Sequence, residues 1–503
     1  MAPVVLSDLP AGGIRRRYTL EAMMRGLCVV LGLTLGCAAS AQTPVILISI
    51  DTLRADHLSS YGYKAIATPN IDAFAQYGTL FTHAESQIPL TLPSHTSLMT
   101  STYPFQNGVE ENGEVLPASA VTLADTLRKR GYQTAAFIGS NILARGTGFD
   151  KGFETYDSPF GAAAAAEESP YSSRIRRDGA LVLRAATQWL KAHKGEPVFT
   201  FIHLFDLHAP YRLQAAPNSA LPALAGYDAE LRYVDEILGR LRQTLEKDDW
   251  WQRALVVLLA DHGEGLGDHG ESSHGYFAYE STLHVPLMIH WPEGSPIYPA
   301  RSEHSAGLID VAPTILDALH IAAPSSFAGT SLLKFDEHPV YSEAVYTRDE
   351  FGWAPLRVLR RGGMKFIEAP RAELYDLERD PRERVNALRT NSAEVTSLRA
   401  ELTRLGKRYG RDPQAVVDSS KSTQDALRSL GYLGGGPRAT QAAAADPKDR
   451  IAEYRLFEKA LDAFYNHRLG EAITGLRRVL TMDKDNHPAA EALAEYEKIQ
   501  RGK

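Results

Sequence analysis

The chain has 503 residues, of which 44% are hydrophobic and 23% charged, with a formal net charge of -7 at pH 7. This is an ordinary globular composition, long enough for one large core with something smaller attached. The acidic balance argues against general nucleic-acid binding, so no nucleic-acid partner is expected.

The first 41 residues read as a signal peptide. Arg15-Arg16-Arg17 precede an apolar run at 26–36, and Ala39-Ser40-Ala41 before Gln42 has the A-x-A form of a cleavage site. The run is too short to span a bilayer. The expectation is therefore an exported protein, periplasmic or secreted. Lipid attachment at Cys37 is the alternative, although Thr34-Leu35-Gly36 is a poor version of the sequence usual before a lipidated cysteine. Both cysteines, Cys28 and Cys37, lie in this leader. The mature chain would have no disulfide framework, no thiolate nucleophile and no cysteine-ligated metal.

After the leader, an apolar run at 45–50 (VILISI) ends in Asp51. A second at 197–205 (PVFTFIHLF) ends in Asp206-Leu207-His208, and a third at 254–260 (ALVVLLA) in Asp261-His262-Gly263. Continuous apolar runs this short are strands buried on both faces. Helical patterns at 122–130, 178–193 and 228–245 alternate with them, which predicts an α/β fold with a mostly parallel sheet sandwiched by helices. Ligands of such sheets bind at the carboxyl ends of the strands. Three strands ending in Asp, two of them carrying a histidine close behind, predict a metal site of carboxylate oxygen and imidazole nitrogen. Zinc or manganese is favoured, with calcium as the alternative ion.

Between the first two strands lies the stretch PLTLPSHTSLM at 89–99. Thr91 stands two residues before Pro93-Ser94, just ahead of a short apolar helical pattern, and Pro93 suits a first helical turn. Backbone donors and the dipole at a helix start favour an anion there, so Thr91 is the candidate nucleophile. The plainer alternative is a hydroxyl that only caps the helix.

Further along, the Gly-Ala tract at 161–166 with Glu167-Glu168-Ser169-Pro170 reads as a variable loop. Tyr276, Phe277 and Tyr279 follow His274 and offer either a pocket lining or ordinary packing. Sheet signals stop after Asn386. An amphipathic helix is expected at 392–409, a polar stretch at 416–436 and a linker at 437–447. From Asp449 three helical patterns follow, the first with Ile451, Tyr454, Phe457, Leu461 and Phe464 on one face. The second carries Ala472, Ile473, Leu476 and Leu480, and the third starts at Pro488. They resemble a single tetratricopeptide repeat with a trailing helix. One repeat rarely buries enough surface alone, so it should dock on the catalytic domain or on another chain, as a protein partner or through self-association. The expected domains are a signal peptide (1–41), a catalytic domain (44–390), a helical segment with linker (391–447) and a tetratricopeptide-like tail (448–503).

The motifs IDTLRADHL at 50–58, TPNID at 68–72, PSHTSLMT at 93–100, GYQT at 131–134, DHGE at 261–264 and ELYDLERDP at 373–381 together resemble the sulfatases. Tyr103-Pro104 with Asn107-Gly108-Val109 belongs to the same match, which runs in order from Pro44 to Asn386. The resemblance implies an alkaline-phosphatase-like α/β fold and a metal-assisted hydrolase of a small anionic ester. The departures are equally specific. Usual sulfatases oxidise a Cys or Ser to formylglycine in a motif ending in Arg; here Thr91 stands at that position and His95 replaces the Arg. Oxidised threonine would be a ketone, which should not readily form the hydrate nucleophile. A Lys-x-His is replaced by Ser140-Asn141-Ile142, a later Lys by His274, and one of the paired acids by Thr52.

The pattern instead resembles the phosphoester branch of the superfamily, in which an unmodified Thr attacks phosphorus beside a metal held by Asp, Thr, Asp and His. The matching positions are Asp51, Thr91, Asp261 and His262. Asp206, His208 and His274 would supply a second metal site. Without a second ion, His208 and His274 would protonate the leaving group or hold an anionic oxygen. Asn112 matches an asparagine that donates to a phosphoryl oxygen, and His95 is counted with the catalytic candidates. The function expected is cleavage of a phosphate or phosphonate ester with one or two divalent ions. The alternatives are a sulfatase that does not use formylglycine, and a binding scaffold that kept the fold and lost the chemistry.

Overall fold

The computed structural model describes residues 42–160, 176–211, 223–410 and 444–502. The leader with Cys28 and Cys37, the Gly-Ala tract and the polar stretch at 416–436 lie outside the described residues, as does most of the linker.

Eight strands form the main sheet in the order β4-β3-β5-β1-β6-β7-β2-β8. They are β1 (Val45–Ile50), β2 (Gly78–Glu85), β3 (Gln133–Phe137), β4 (Thr155–Asp157), β5 (Val198–Leu204), β6 (Leu255–Leu259), β7 (His284–His290) and β8 (Arg301–Gly307). Only β7 runs against its neighbours; the pairs β4–β3–β5–β1–β6 and β2–β8 are all parallel. Every residue of β1, β5 and β6 is buried, as the unbroken apolar runs require of strands covered on both faces. A second, antiparallel sheet of four follows: β9 (Val340–Ala344), β10 (Leu356–Arg361), β11 (Met364–Glu368) and β12 (Glu373–Asp376).

Register in the middle of the main sheet decides which side chains meet. Ser49 of β1 is level with His203 of β5 and with Leu259 of β6. Continuing two residues along brings Asp51 level with Asp261, and both side chains emerge on the same face because the side-chain period is two. On the β5 side the residue level with Asp51 is Phe205, so Asp206 is one residue out of phase and faces the other way.

The helices that matter for the site are α1 (Thr91–Thr100), α2 (Gly179–Ala192), α3 (Ala223–Lys247), α4 (Tyr346–Phe351), α5 (Ser392–Tyr409), α6 (Pro447–Tyr465), α7 (Leu469–Met482) and α8 (His487–Gln500). The amphipathic pattern at 392–409 is borne out as α5, and its Leu398 is buried in a small core with Leu359, Phe366 and Leu374 of the second sheet. The first tail helix begins at Pro447, two residues before the helical pattern expected from Asp449, because Asp446 caps it by accepting from the Lys448 N–H at 2.9 Å. From Thr43 onward the chain is one compact unit, and the tail is docked within it. Tyr454 packs on Tyr276 with ring centroids 4.2 Å apart, and Phe457 packs edge-on to Phe351 at 5.6 Å. Of the two docking modes expected, the catalytic domain of the same chain is the surface used. No helix among the described residues is long and apolar enough to cross a membrane.

Candidate active site

Thr91 is the first residue of α1, and the extended Leu90 before it provides no side-chain cap. The helix thus begins at Thr91 itself rather than just after it, and Pro93 falls in its first turn. The Thr91 hydroxyl is not used for capping. Its Oγ1 donates to Asp51 Oδ2 at 3.3 Å and lies 3.4 Å from His262 Nε2. All three side chains are buried.

Asp51, Asp261 and His262 each present a ligand atom within 4.8 Å of the other two, the one such metal-competent group among the described residues. The donor set fits a divalent cation. Asp261 Oδ1 accepts the backbone N–H of Thr52 at 3.2 Å and of His262 at 2.9 Å, while Asp261 Oδ2 and Asp51 Oδ1 are buried with no hydrogen-bond partner. His262 Nδ1 donates to the Gly263 carbonyl at 2.9 Å, which fixes Nε2 as the atom with a free lone pair. Two buried carboxylates without a cation cannot both stay ionised. Burial pushes the Asp51 carboxyl up to about 7, and burial with the neighbouring Asp51 charge holds Asp261 well above its usual range. Burial, helped by His274, keeps His262 far below the usual imidazole range, in the neutral form that ligates.

Asn112 Oδ1 accepts the Leu92 N–H at 2.9 Å, which ties it to the start of α1. Its Nδ2 is buried with no partner beside Thr91's helix turn, as a donor for an incoming oxyanion would be. His274 Nδ1 donates to Glu264 Oε1 at 3.2 Å, and its ring stands 4.4 Å from that of His262 and 5.2 Å from that of His208. Burial would lower the His274 pKa, but Glu264, then Asp51 and Asp261, outweigh it and raise the value. His208 donates through Nδ1 to the Ala209 carbonyl at 2.6 Å, leaving its Nε2 buried with no partner. Burial and His274 hold it well below the usual range, so it is neutral and its Nε2 is an acceptor.

Two expected members are placed elsewhere. Asp206 was expected in a second metal site with His208 and His274, and no such second group is found among the described residues: past the end of β5 and out of phase with Asp51, its Oδ1 accepts the Gly179 N–H at 3.1 Å at the start of α2. A Cβ at Gly179 would lie 2.4 Å from Asp206 Oδ2, so the helix end and the carboxylate are fitted to each other. His95 does not stand in for a catalytic arginine either. It is fully buried one turn below Thr91, its Nδ1 donating to the Thr91 carbonyl at 2.7 Å and its Nε2 accepting from Ser49 Oγ at 2.8 Å. Burial and His203 keep it far below neutral titration, so it brings no positive charge and serves as a strut beneath the nucleophile.

Several contributors were not foreseen. His203, inside β5, donates through Nε2 to Asp51 Oδ2 at 3.3 Å and is neutral, its pKa held down to about 3 by burial. The only sequence signal is an imidazole in an otherwise apolar run. Thr52 adopts φ 56°, a conformation rare for a β-branched residue, and its N–H reaches Asp261 from there. Arg54 donates to the Glu264 and Gly265 carbonyls at 3.1 and 3.3 Å and pairs with Asp268 at 2.9 Å, pinning the segment that carries Glu264. Replacing His203 with alanine should weaken metal binding by roughly 10- to 100-fold through loss of the donor that orients Asp51. Metal titration of the purified variant reads this directly, and wild-type affinity would show that Asp51 needs no such support.

A mostly parallel sheet flanked by helices, with a hydroxyl, two carboxylates and an imidazole at its carboxyl edge, defines the alkaline-phosphatase-like class of ester hydrolases. Solved structures agree on the fold. A phosphonate monoester hydrolase of Agrobacterium radiobacter superposes with a TM-score of 0.61 at 21% identity, covering 73% of this chain and 96% of that one. A structure described as a complex with D-glucosamine-2-N,6-O-disulfate gives 0.61 at 19% identity, covering 73% and 98%. The family model "Sulfatase" matches residues 43–321, and the model "N-sulphoglucosamine sulphohydrolase, C-terminal" matches 267–408. The chain belongs to the sulfatase family, and it is a sulfuric or phosphoric ester hydrolase. Among curated relatives, the Delta 4,5-hexuronate-2-O-sulfatase of Bacteroides thetaiotaomicron is 23% identical over 431 residues, covering 71% of this chain and 87% of the relative.

Proposed function

We propose that the protein cleaves a phosphate or phosphonate ester with the unmodified Thr91 hydroxyl as nucleophile. The observation that carries this is the position of Thr91 Oγ1 on the first residue of a buried helix, between Asp51 Oδ2 and His262 Nε2. Asp51, Asp261 and His262 would hold a divalent cation, zinc or manganese by their donor chemistry, which would supply Lewis-acid charge beside the Thr91 hydroxyl. As Thr91 Oγ1 bonds to phosphorus its proton passes to its hydrogen-bond partner Asp51 Oδ2 and the ester oxygen leaves; water then attacks phosphorus, the Thr91–phosphorus bond breaks, and Thr91 Oγ1 takes its proton back from Asp51. Asp51 accepts the Thr91 hydrogen bond and sets its direction. Asn112, tied through its Oδ1 to the Leu92 N–H, offers its Nδ2 to the oxygen that gathers charge. His274, kept basic by Glu264, donates the proton to the leaving oxygen, and the neutral His208 Nε2 accepts one from the attacking water.

The second reading, sulfate-ester cleavage without formylglycine, is supported by the curated sulfatase relatives. Phosphoryl centres carry more negative charge than sulfuryl centres and gain more from a protonated imidazole at the leaving oxygen. Of the two histidines that stand where the usual sulfatases have basic residues, burial keeps His95 neutral and His274 is the one held basic. With a matched aryl phosphodiester and aryl sulfate on one metal-loaded sample, kcat/KM for the phosphodiester should be higher by at least about tenfold, ~1.4 kcal/mol. Faster sulfate cleavage by a chain whose Thr91 has the plain threonine mass would establish the second reading.

We also place the protein outside the cytoplasm on the strength of the leader at 1–41. Terminal analysis of the mature chain should find Gln42. A lipidated Cys37 would make it a membrane-anchored protein instead.

A further inference from the structure

We infer that the docked tail is a working part of the active site, and that Glu458 on α6 is a positioning residue for His274. The inference rests on the role given to His274 above. Both matched family models end at or before residue 408, so the tail is outside what they describe.

His274 sits at the tip of a loop whose two sides are both held by α6. On one side, Ser272 Oγ donates to Glu458 Oε2 at 2.7 Å. On the other, Tyr276 Oη donates to the Pro447 carbonyl at 2.6 Å, with its ring against Tyr454. The loop also closes on itself: Glu271 Oε1 accepts the N–H groups of Tyr276 and Phe277 at 2.8 and 3.2 Å, and Gly265 donates to the Ser273 carbonyl at 2.6 Å. Gly275 turns the chain beside His274 with φ +93°, and a Cβ there would meet Leu90 at 3.2 Å, next to Thr91. A glycine turn of this kind does not fix its own neighbour. Glu264 aims the His274 ring through Nδ1, and the backbone that carries the ring is held by the two anchors two residues either side of it. Of these, Glu458 is the anchor supplied by a side chain, since the other is the Pro447 carbonyl. Carboxylates that orient a functional imidazole through intermediate groups are worth about 10- to 100-fold in activity.

The test uses full-length protein and compares Glu458→Ala, Glu458→Gln, Ser272→Ala and the Ser272→Ala/Glu458→Ala pair, on the ester that the wild type cleaves faster. Metal content and melting temperature are checked in each. Glu458→Ala should lower kcat about tenfold with KM within about twofold, while Glu458→Gln, whose amide oxygen still accepts from Ser272, should keep kcat within about threefold. The double variant should be no worse than the single ones, because both remove the same contact. Amide hydrogen exchange across 271–279 should quicken in Glu458→Ala and not in Glu458→Gln. Unchanged exchange, or quicker exchange with unchanged kcat, would overturn the inference. If exchange quickens as expected but the wild type cleaves neither ester, the positioning role stands and the reading of the reaction is what fails.

Discussion

Thr91→Ala should lose essentially all turnover, on the order of 10⁴-fold or more, while still binding its metal. The reason lies in the separation of roles. The ligand atoms of Asp51, Asp261 and His262 come from the ends of β1 and β6, and none of them depends on the threonine side chain for its backbone support. Oγ1 is the one nucleophilic oxygen placed at the start of α1, 3.3 Å from Asp51 and 3.4 Å from His262. Thr91→Ser should keep part of the rate, because the hydroxyl survives but loses the methyl that restricts χ1. Peptide mass mapping of active protein should find residue 91 at the plain threonine mass. Normal turnover by Thr91→Ala would mean that water attacks the ester directly and that Thr91 only lines the site.

The parts of this site that could be read in the sequence are those set by strand ends and local motifs. Asp51 and Asp261 end fully buried strands, where an unpaired carboxylate needs a reason to be there, and both are in the metal-competent group. Asp206 ends an equally buried strand and is not. The difference is one residue of phase: Ser49 is level with His203, so Phe205 and not Asp206 matches Asp51, and the Asp206 carboxylate meets the start of α2. Register is a property of strand pairs and is not written in either strand alone. The same phase turns His203, hidden in an apolar run, toward Asp51. His95 could be assigned to the right helix turn, but not its burial. That burial, with His203 beside it, keeps the imidazole neutral where the usual sulfatases carry an arginine's charge. The amphipathic face of α6 was plain, yet its partner was not, since Tyr276 and Phe351 are distant in sequence and ordinary in type.

Asp261→Ala should release the metal and lower the rate by several kcal/mol in the barrier, on the order of 10²–10⁴-fold. Asp261→Asn is the sharper variant. Its Oδ1 can still accept the N–H groups of Thr52 and His262, so the turn after β6 is kept while the charge is removed. The metal-free wild type should show a matching pH dependence. Burial raises the Asp51 carboxyl from 3.8 to about 7 in the folded protein, so between those values the folded state holds more protons than the unfolded one. Stability of the metal-free protein therefore falls as pH rises from about 4 to about 7, at up to ~1.4 kcal/mol per pH unit for one group. Metal add-back should raise the melting temperature more at pH 8, where both carboxylates must ionise, than at pH 5. Metal-free Asp261→Asn, with one acid where the wild type has two, should be more stable at pH 8 than the metal-free wild type. Scanning calorimetry of the two proteins with and without zinc reads all of these differences. An Asp261→Ala protein with full metal content and full activity would remove Asp261 from the metal site, and a metal-free wild type whose stability is flat across this range would show that the Asp51 carboxyl is not raised by burial.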